Sequence, residues 1–314
     1  MQNYKRNQLS HAQGVRIVNK VPAGFHEEVA INTTDKTGFE AAIELAQKVD
    51  VVVMVLGEYG FQSGEGRSRT QLGLPGLQQE LLEKVARVNP NIVLVVMNGR
   101  PLILNWAAEN IPAIVEAWHL GTQSGNAIAQ VLYGDYNPSG KLPMSFPRSV
   151  GQLPLYYNHK STGRPGTEGE DPGSVFWSHY GDEKNSPLFP FGYGLSYTDF
   201  KYSKFQLSAT TLDRSGSIQA FVEVKNTGVV KGKEVVQLYL QDPYASTTRP
   251  VKELKGFQMV ELAPGESKKV SFTITEADLK FYNAKQQWDA ESGTFHVYIG
   301  GNSLVKEKRS FELN

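Results

Sequence analysis

Cysteine is missing altogether from the 314 residues, which excludes disulfide staples and thiolate-held metal or iron–sulfur sites. The compartment stays open on that ground, because many proteins of oxidising compartments also lack cysteine. Net charge is missing too: 32 Lys and Arg balance 32 Asp and Glu, with no long run of one sign. The chain therefore offers no sustained field to nucleic acid or to an anionic membrane, and a neutral partner is expected. Apolar runs such as Val51 to Leu56 are far too short to cross a bilayer, and the polar opening Met1 to Asn7 does not read as a signal peptide. His11, His26, His119, His159, His179 and His296 show no metal-ligand spacing, and there is no GxGxxG, P-loop or GxSxG elbow. Neither a metal nor any other cofactor is expected, and an independent α/β hydrolase is set aside.

What is present divides into two halves of different periodicity. From Thr37 to Pro147, helical patterns at Phe39 to Lys48, Leu77 to Val88 and Ser124 to Tyr133 alternate with continuous apolar runs. Those runs, Val51 to Leu56, Asn91 to Met97, Ile111 to Trp118 and Lys141 to Phe146, read as buried parallel strands joined by helical crossovers. Gly14 to Val21 is a candidate for one more strand. The expectation is an open α/β sheet covered on both faces over residues 1–150. From Asp199 onward short alternating segments take over, among them Ile218 to Val224, Glu234 to Leu240, Lys268 to Ile274 and Thr294 to Ile299, separated by turn residues. That pattern predicts an antiparallel β-sandwich of immunoglobulin or fibronectin III type over 199–314. Residues 151–198, rich in Gly, Pro and aromatics, read as a long connection.

The stretch after Val51 to Leu56 carries the chemistry. In an open α/β sheet, ligands bind beyond the carboxyl ends of the strands, and the loop Gly57 to Arg69 lies there. Glu65 stands between Gly64 and Gly66, where the backbone is free to project a side chain from a loop tip, as a movable general acid requires. A solvated glutamate paired with Arg67 or Arg69 is the plainer reading. Glu58 at the strand end lines a sugar subsite or bonds neighbouring N–H groups, and Arg67 and Arg69 are candidates to hold the loop or a substrate by charge-assisted bonds. Asn98, Gly99 and Arg100 end the next strand and read most simply as a turn. Asp50 sits at the opposite edge of the sheet, and Asp135 in GDYNPSG reads as a turn residue. Tyr156, Tyr157, Phe176, Trp177 and Tyr180 suit the apolar faces of sugar rings or, equally, loop packing.

These segments form an ordered series: GEYGFQSGEGRSRTQLGLPG from Gly57, VLVVMNGRPL, GDYNPSGKLPMSFPR from Gly134, FPFGYGLSYTDF from Phe189, VKNTG from Val224, RPVKELKGF from Arg249 and LAPGES from Leu262. The series resembles family 3 glycoside hydrolases, above all the bacterial periplasmic β-glucosidases, over nearly the whole chain beyond residue 37. The resemblance implies an α/β sandwich domain followed by a fibronectin III-like domain, in a family where a (β/α)8 barrel comes first. It also implies hydrolysis of β-linked sugars with retention, an aspartate nucleophile on the barrel, and Glu65 as the acid/base. The barrel and the usual first strand of the second domain are not found in this sequence, so the chain alone is expected to be inactive. The partners expected are a β-linked glucoside or oligosaccharide and a barrel-bearing chain or second copy, with neither nucleic acid nor membrane. Periplasmic or secreted localisation is implied by resemblance alone. The alternative is a noncatalytic carbohydrate-binding or interaction module derived from such an enzyme.

Overall fold

The computed structural model describes residues 9–24, 26–166 and 175–314. The chain divides into two compact units, one of residues 1–135 and 146–153, the other of residues 136–145 and 154–314.

The first unit is built on a parallel sheet of three strands, β1 (Val52–Gly57), β2 (Ile92–Met97) and β3 (Ala113–Glu116), in spatial order β1-β2-β3. The middle strand has the sequence IVLVVM, with Leu94, Val95 and Val96 inaccessible to solvent, as a strand covered on both faces must be. The helices are α1 (Phe39–Ala46), α2 (Gln78–Val88), α3 (Asn105–Asn110) and α4 (Ser124–Leu132). Helix α2 spaces Leu81, Leu82 and Val85 on one buried face. It stops before Asn89 because Pro90 disfavours helical angles in the residue preceding it. Asn89, thus extended, donates through Nδ2 to the carbonyls of Ala46 and Val49, which ties off α1.

Two expected strands do not form. Gly14 to Val21 makes only the single bridge Val18–Ile31, and Asn19 and Asn32 hold the crossing by side-chain bonds to Ile31 O and Arg16 O. Lys141 to Phe146 is irregular, since Pro143 has no N–H to give to a ladder. Leu142 instead exchanges backbone bonds with Gly192 and Tyr193, inside the second unit. The run Ile111 to Trp118 yields a strand of only four residues, preceded by α3, which the sequence pattern did not disclose.

The second unit is a β-sandwich. A five-stranded sheet has the order β5 (Thr211–Leu212), β13 (Lys308–Leu313), β12 (Gly293–Gly300), β7 (Gly232–Gln241), β8 (Glu253–Leu262). A three-stranded sheet has the order β4 (Phe200–Leu207), β6 (Ile218–Asn226), β9 (Ser267–Ile274). A one-turn helix α5 (Glu276–Leu279) and the small ribbon of β10 (Phe281–Tyr282) and β11 (Trp288–Asp289) complete it. Alternate residues fill the core, for example Ile218, Ala220, Val222 and Val224 from β6 against Val236, Leu238 and Leu240 from β7.

Candidate functional site

Because β1, β2 and β3 run in parallel and in register, their carboxyl ends bring three short segments together: Gly57–Glu58, Met97–Arg100 and Glu116–Trp118. The end of β1 is finished by a side chain. Gln78 accepts from Gly57 N and donates to Gly57 O, both at 2.8 Å, and so extends the ladder by one amide. Gly57 has φ 143°, and a β-carbon there would meet Met97 O at 1.9 Å, so no other residue fits.

The side chain of Glu58 is fully buried. Its Oε1 lies 2.5 Å from Arg69 Nη1 and 3.1 Å from Arg100 Nε, and its Oε2 accepts from Gly99 N at 3.0 Å. Every lone-pair direction that matters is taken up by protein, which is what makes a buried carboxylate tolerable. Arg100 reaches from the same carboxylate into the loop, where its Nη2 donates to Gln62 O and to Arg67 O. Arg69 also donates to Gly73 O, and Arg67 pairs with Glu28 and donates to Glu27 O. The expectation that Arg67 and Arg69 serve Glu65 is met differently: Arg69 serves Glu58. The expectation of a sugar subsite at Glu58 meets a carboxylate with no exposed surface, enclosed by two guanidinium groups and an amide.

Glu65 is placed quite otherwise. Gly64 to Arg67 form a tight turn closed by Arg67 N to Gly64 O at 3.2 Å, with Gly66 at φ 69° in its third position, the geometry in which type II turns call for glycine. Glu65 occupies the exposed second position. The loop is thus pinned on both sides of the turn, at Gln62 and at Arg67, and free at its tip.

Sequence reasoning passed over a third carboxyl group. Glu116 closes β3, and burial pushes its carboxyl up to about 8, against the smaller opposing pulls of Trp118 N–H and of the Asn98 side chain. Oε1 accepts from Trp118 N at 3.1 Å, whereas Oε2 is buried without a hydrogen-bond partner. Trp118 itself has φ 47°, an uncommon conformation for a tryptophan. The only sequence signal for Glu116 is an acidic residue ending an apolar strand. Asn98 is fully buried and donates to Arg100 O at 2.7 Å, so the supposed turn Asn98–Arg100 is the joint between strand and loop.

The remaining candidates scatter. Among the connection aromatics, Tyr157 stacks on Phe191 at 4.1 Å and accepts from Leu254 N through its hydroxyl, a packing role, while Tyr156 and Phe176 are exposed. His119 is exposed. Among the described residues, no group of three or more His, Asp and Glu is placed to hold a metal ion, and no helix is long and apolar enough to cross a membrane. A cavity of about 660 Å³ lies in the second unit, lined by Asp242, Tyr244, Ser246, Arg249 and Glu291 among others, and contains none of the candidate site residues Glu58, Glu65, Arg67 and Arg69.

Residues 3–197 match the model of the glycosyl hydrolase family 3 C-terminal domain, and residues 234–303 that of a fibronectin type III-like domain. The chain is 51% identical over 290 residues to a periplasmic beta-glucosidase of Salmonella typhimurium, covering 92% of this chain and 38% of that protein. It is 43% identical to a beta-xylosidase of Formosa agariphila, covering 95% and 40%. The crystal structure of a beta-glucosidase from Listeria innocua in complex with glucose superposes with a TM-score of 0.85 at 39% identity, covering 91% of this chain and 39% of that one. The chain thus spans about two fifths of the length of the curated relatives it matches.

Proposed function

This chain belongs to glycosyl hydrolase family 3, and from that premise we propose that it is part of a retaining β-glycosidase of the β-glucosidase type, to which it supplies the general acid/base, Glu65. The observation that carries the reading is the contrast within one loop: both flanks of the turn are fastened to the sheet edge through Arg100, while the single carboxylate at its tip is exposed. A general acid must be positioned well and still reach a substrate oxygen, and this loop offers both.

In the reaction, Glu65 protonates the glycosidic oxygen as the sugar transfers to an aspartate nucleophile, and then takes a proton from the water that releases the glycosyl-enzyme. The two carboxyl groups stand about 5 Å apart in retaining enzymes. The described residues hold no (β/α)8 barrel, so the nucleophile must come from one supplied alongside them. Closure of barrel and sugar over the exposed tip would exclude bulk water from the reacting atoms. Periplasmic or secreted localisation accords with the Salmonella relative's name.

The test compares hydrolysis of p-nitrophenyl β-glucoside and of cellobiose by the chain alone, by the chain mixed with a separately expressed family 3 barrel, and by the mixture carrying Glu65→Ala. Expected is activity in the mixture only. The substitution should cost far more on cellobiose than on the nitrophenyl glycoside, whose leaving group needs little protonation, and azide should restore part of the latter because it attacks without a general base. Inactivity of a mixture shown to associate would reject the reading in favour of a noncatalytic carbohydrate-binding module.

A further inference from the structure

The connection between β7 and β8, residues 242–252, encloses the cavity of about 660 Å³, a size usual for small-ligand sites. Its two limbs are fastened to different neighbours. On the first, Glu291 accepts from Ser246 N at 2.7 Å and from the Ser246 hydroxyl, which in turn accepts from Ala284 N at 3.1 Å. On the second, Val251 N donates to His159 O at 2.9 Å and Pro250 bridges Lys160. Arg249 lies over the Phe281 ring at 4.3 Å and donates through Nη2 to Glu253 at 2.7 Å. A loop held in this way is shaped before any ligand arrives, which lowers the entropic cost of binding. Asp242 and Arg249, at its start and near its end, both line the cavity, and their side chains are only 8% and 15% exposed. The Asp242 carboxylate takes a bond from the Tyr244 backbone amide. Its Oδ2 stands 3.9 Å from Arg249 Nε, too far for a hydrogen bond, and among the described residues neither atom has a hydrogen-bond partner. Tyr244, 86% exposed, also lines the cavity and is the most exposed aromatic side chain among the described residues.

The two facing atoms are an acceptor and a donor, and that pairing selects the ligand. An anion such as sulfate gives Arg249 Nε an acceptor but has no proton for Asp242 Oδ2. A quaternary ammonium ion offers Nε no acceptor. A hydroxyl group both donates and accepts, so neighbouring hydroxyls of a sugar ring satisfy both atoms at once. The exposed Tyr244 ring supplies a rigid apolar face for the C–H side of the same sugar. We infer that this loop is a second carbohydrate site, taking one or two neutral sugar units whose hydroxyls bridge Asp242 and Arg249 and whose ring face lies on Tyr244. Both oxygens of Glu291 are committed to Ser246 and Glu253 is paired with Arg249. Asp242 thus has no second free carboxylate beside it for hydrolysis, and the site holds sugar without cleaving it. It lies wholly within the second unit and does not depend on the reading of Glu65 given above.

The experiment uses the whole chain, labelled with nitrogen-15, and follows its backbone amide shifts by NMR. Cellobiose, xylobiose and laminaribiose are titrated in, and sodium sulfate and choline chloride serve as the anionic and cationic probes. Expected are saturable shifts at the amides of Tyr244 to Arg249 with at least one disaccharide and with neither salt. Tyr244→Ala removes an exposed side chain and leaves the sandwich intact, and should weaken that binding roughly two- to tenfold through lost stacking. Asp242→Asn keeps the shape of the side chain and should weaken it about tenfold through the loss of a charged acceptor. Should Asp242→Asn disturb the loop itself, Tyr244→Ala alone decides. The proposal is overturned by the absence of saturable shifts with every disaccharide, by sulfate or choline saturating the loop more tightly than the sugars, or by undiminished affinity in Tyr244→Ala. Saturation confined to the amides of Ser63 to Arg67 would support the glycosidase reading and overturn this one. Failure of the reconstituted activity, by contrast, leaves the loop titration unchanged, so the two readings fail separately.

Discussion

The base and the tip of the loop after β1 carry glutamates seven residues apart, Glu58 and Glu65, in opposite environments. Glu58 has no exposed surface and is bound by two arginines and an amide, whereas Glu65 is exposed between two glycines. A carboxylate whose lone pairs are all engaged is a structural brace and a poor proton carrier; an exposed one on a pinned turn is a poor brace and a usable acid. The second unit shows the first pattern again. Glu234 accepts from Tyr202 and Lys141, Asn226 bonds Thr198, Gly228, Val230 and Leu262, and Lys252 donates to the carbonyls of Ser303 and Val305. The motifs GKLP, VKNTG and RPVKELKGF therefore mark polar knots that hold the sandwich, and SGEGRSR differs from them in having a free tip.

The comparison is tested hardest at Glu58. Replacing Glu58 with Ala leaves Arg69 and Arg100 facing each other at a largely buried site, and should destabilise the first unit by about 3–5 kcal/mol, the range for breaking one side of a buried pair. Unfolding should be followed by exchange at amides of β1 and β2, because two units need not melt together. A change below about 1 kcal/mol, the level typical of exposed ion pairs, would show that the base is no brace. A smaller effect is expected from Gly66→Ala. No atom lies within 4 Å of the added methyl group, so the cost is purely that of φ 69°, about 1–2 kcal/mol. It should appear as lost loop order, measured by exchange at Arg67, and leave β1 and β2 untouched.

What the sequence disclosed, and what it concealed, follows the same division between local and assembled features. Strand β2 was legible because IVLVVM is apolar throughout, α2 because its buried positions repeat at helical spacing, and β6, β7, β9 and β12 because they alternate. Helix α3 escaped notice because six residues, NWAAEN, carry too few turns to set a period. Lys141 to Phe146 was misread as a strand because its apolar residues are real but Pro143 has no N–H to pair. In the loop after β1, the exposed tip position of Glu65 was legible from its flanking glycines. Arg100 was not, since its role exists only when parallel register brings residues 58, 62, 67 and 98 to one edge. Glu116 was missed because its segment shows only an acidic residue ending an apolar run, while the burial around it arises from the assembled sheet edge.

Glu65 is where the smallest structural and the largest functional effects should coincide. Its side chain is exposed, so Glu65→Gln removes no buried contact, and the chain should keep its unfolding midpoint and the exchange pattern of both units. Glutamine retains shape and hydrogen-bonding capacity but cannot cycle a proton. Any activity reconstituted with a barrel should therefore fall by roughly 10²–10⁴-fold, the usual share of general acid–base catalysis. The decisive readout is the ratio of the two changes. A large loss of turnover with unaltered stability assigns chemistry to the tip, whereas a loss of turnover accompanied by a loosened loop would return Glu65 to the same class as Glu58.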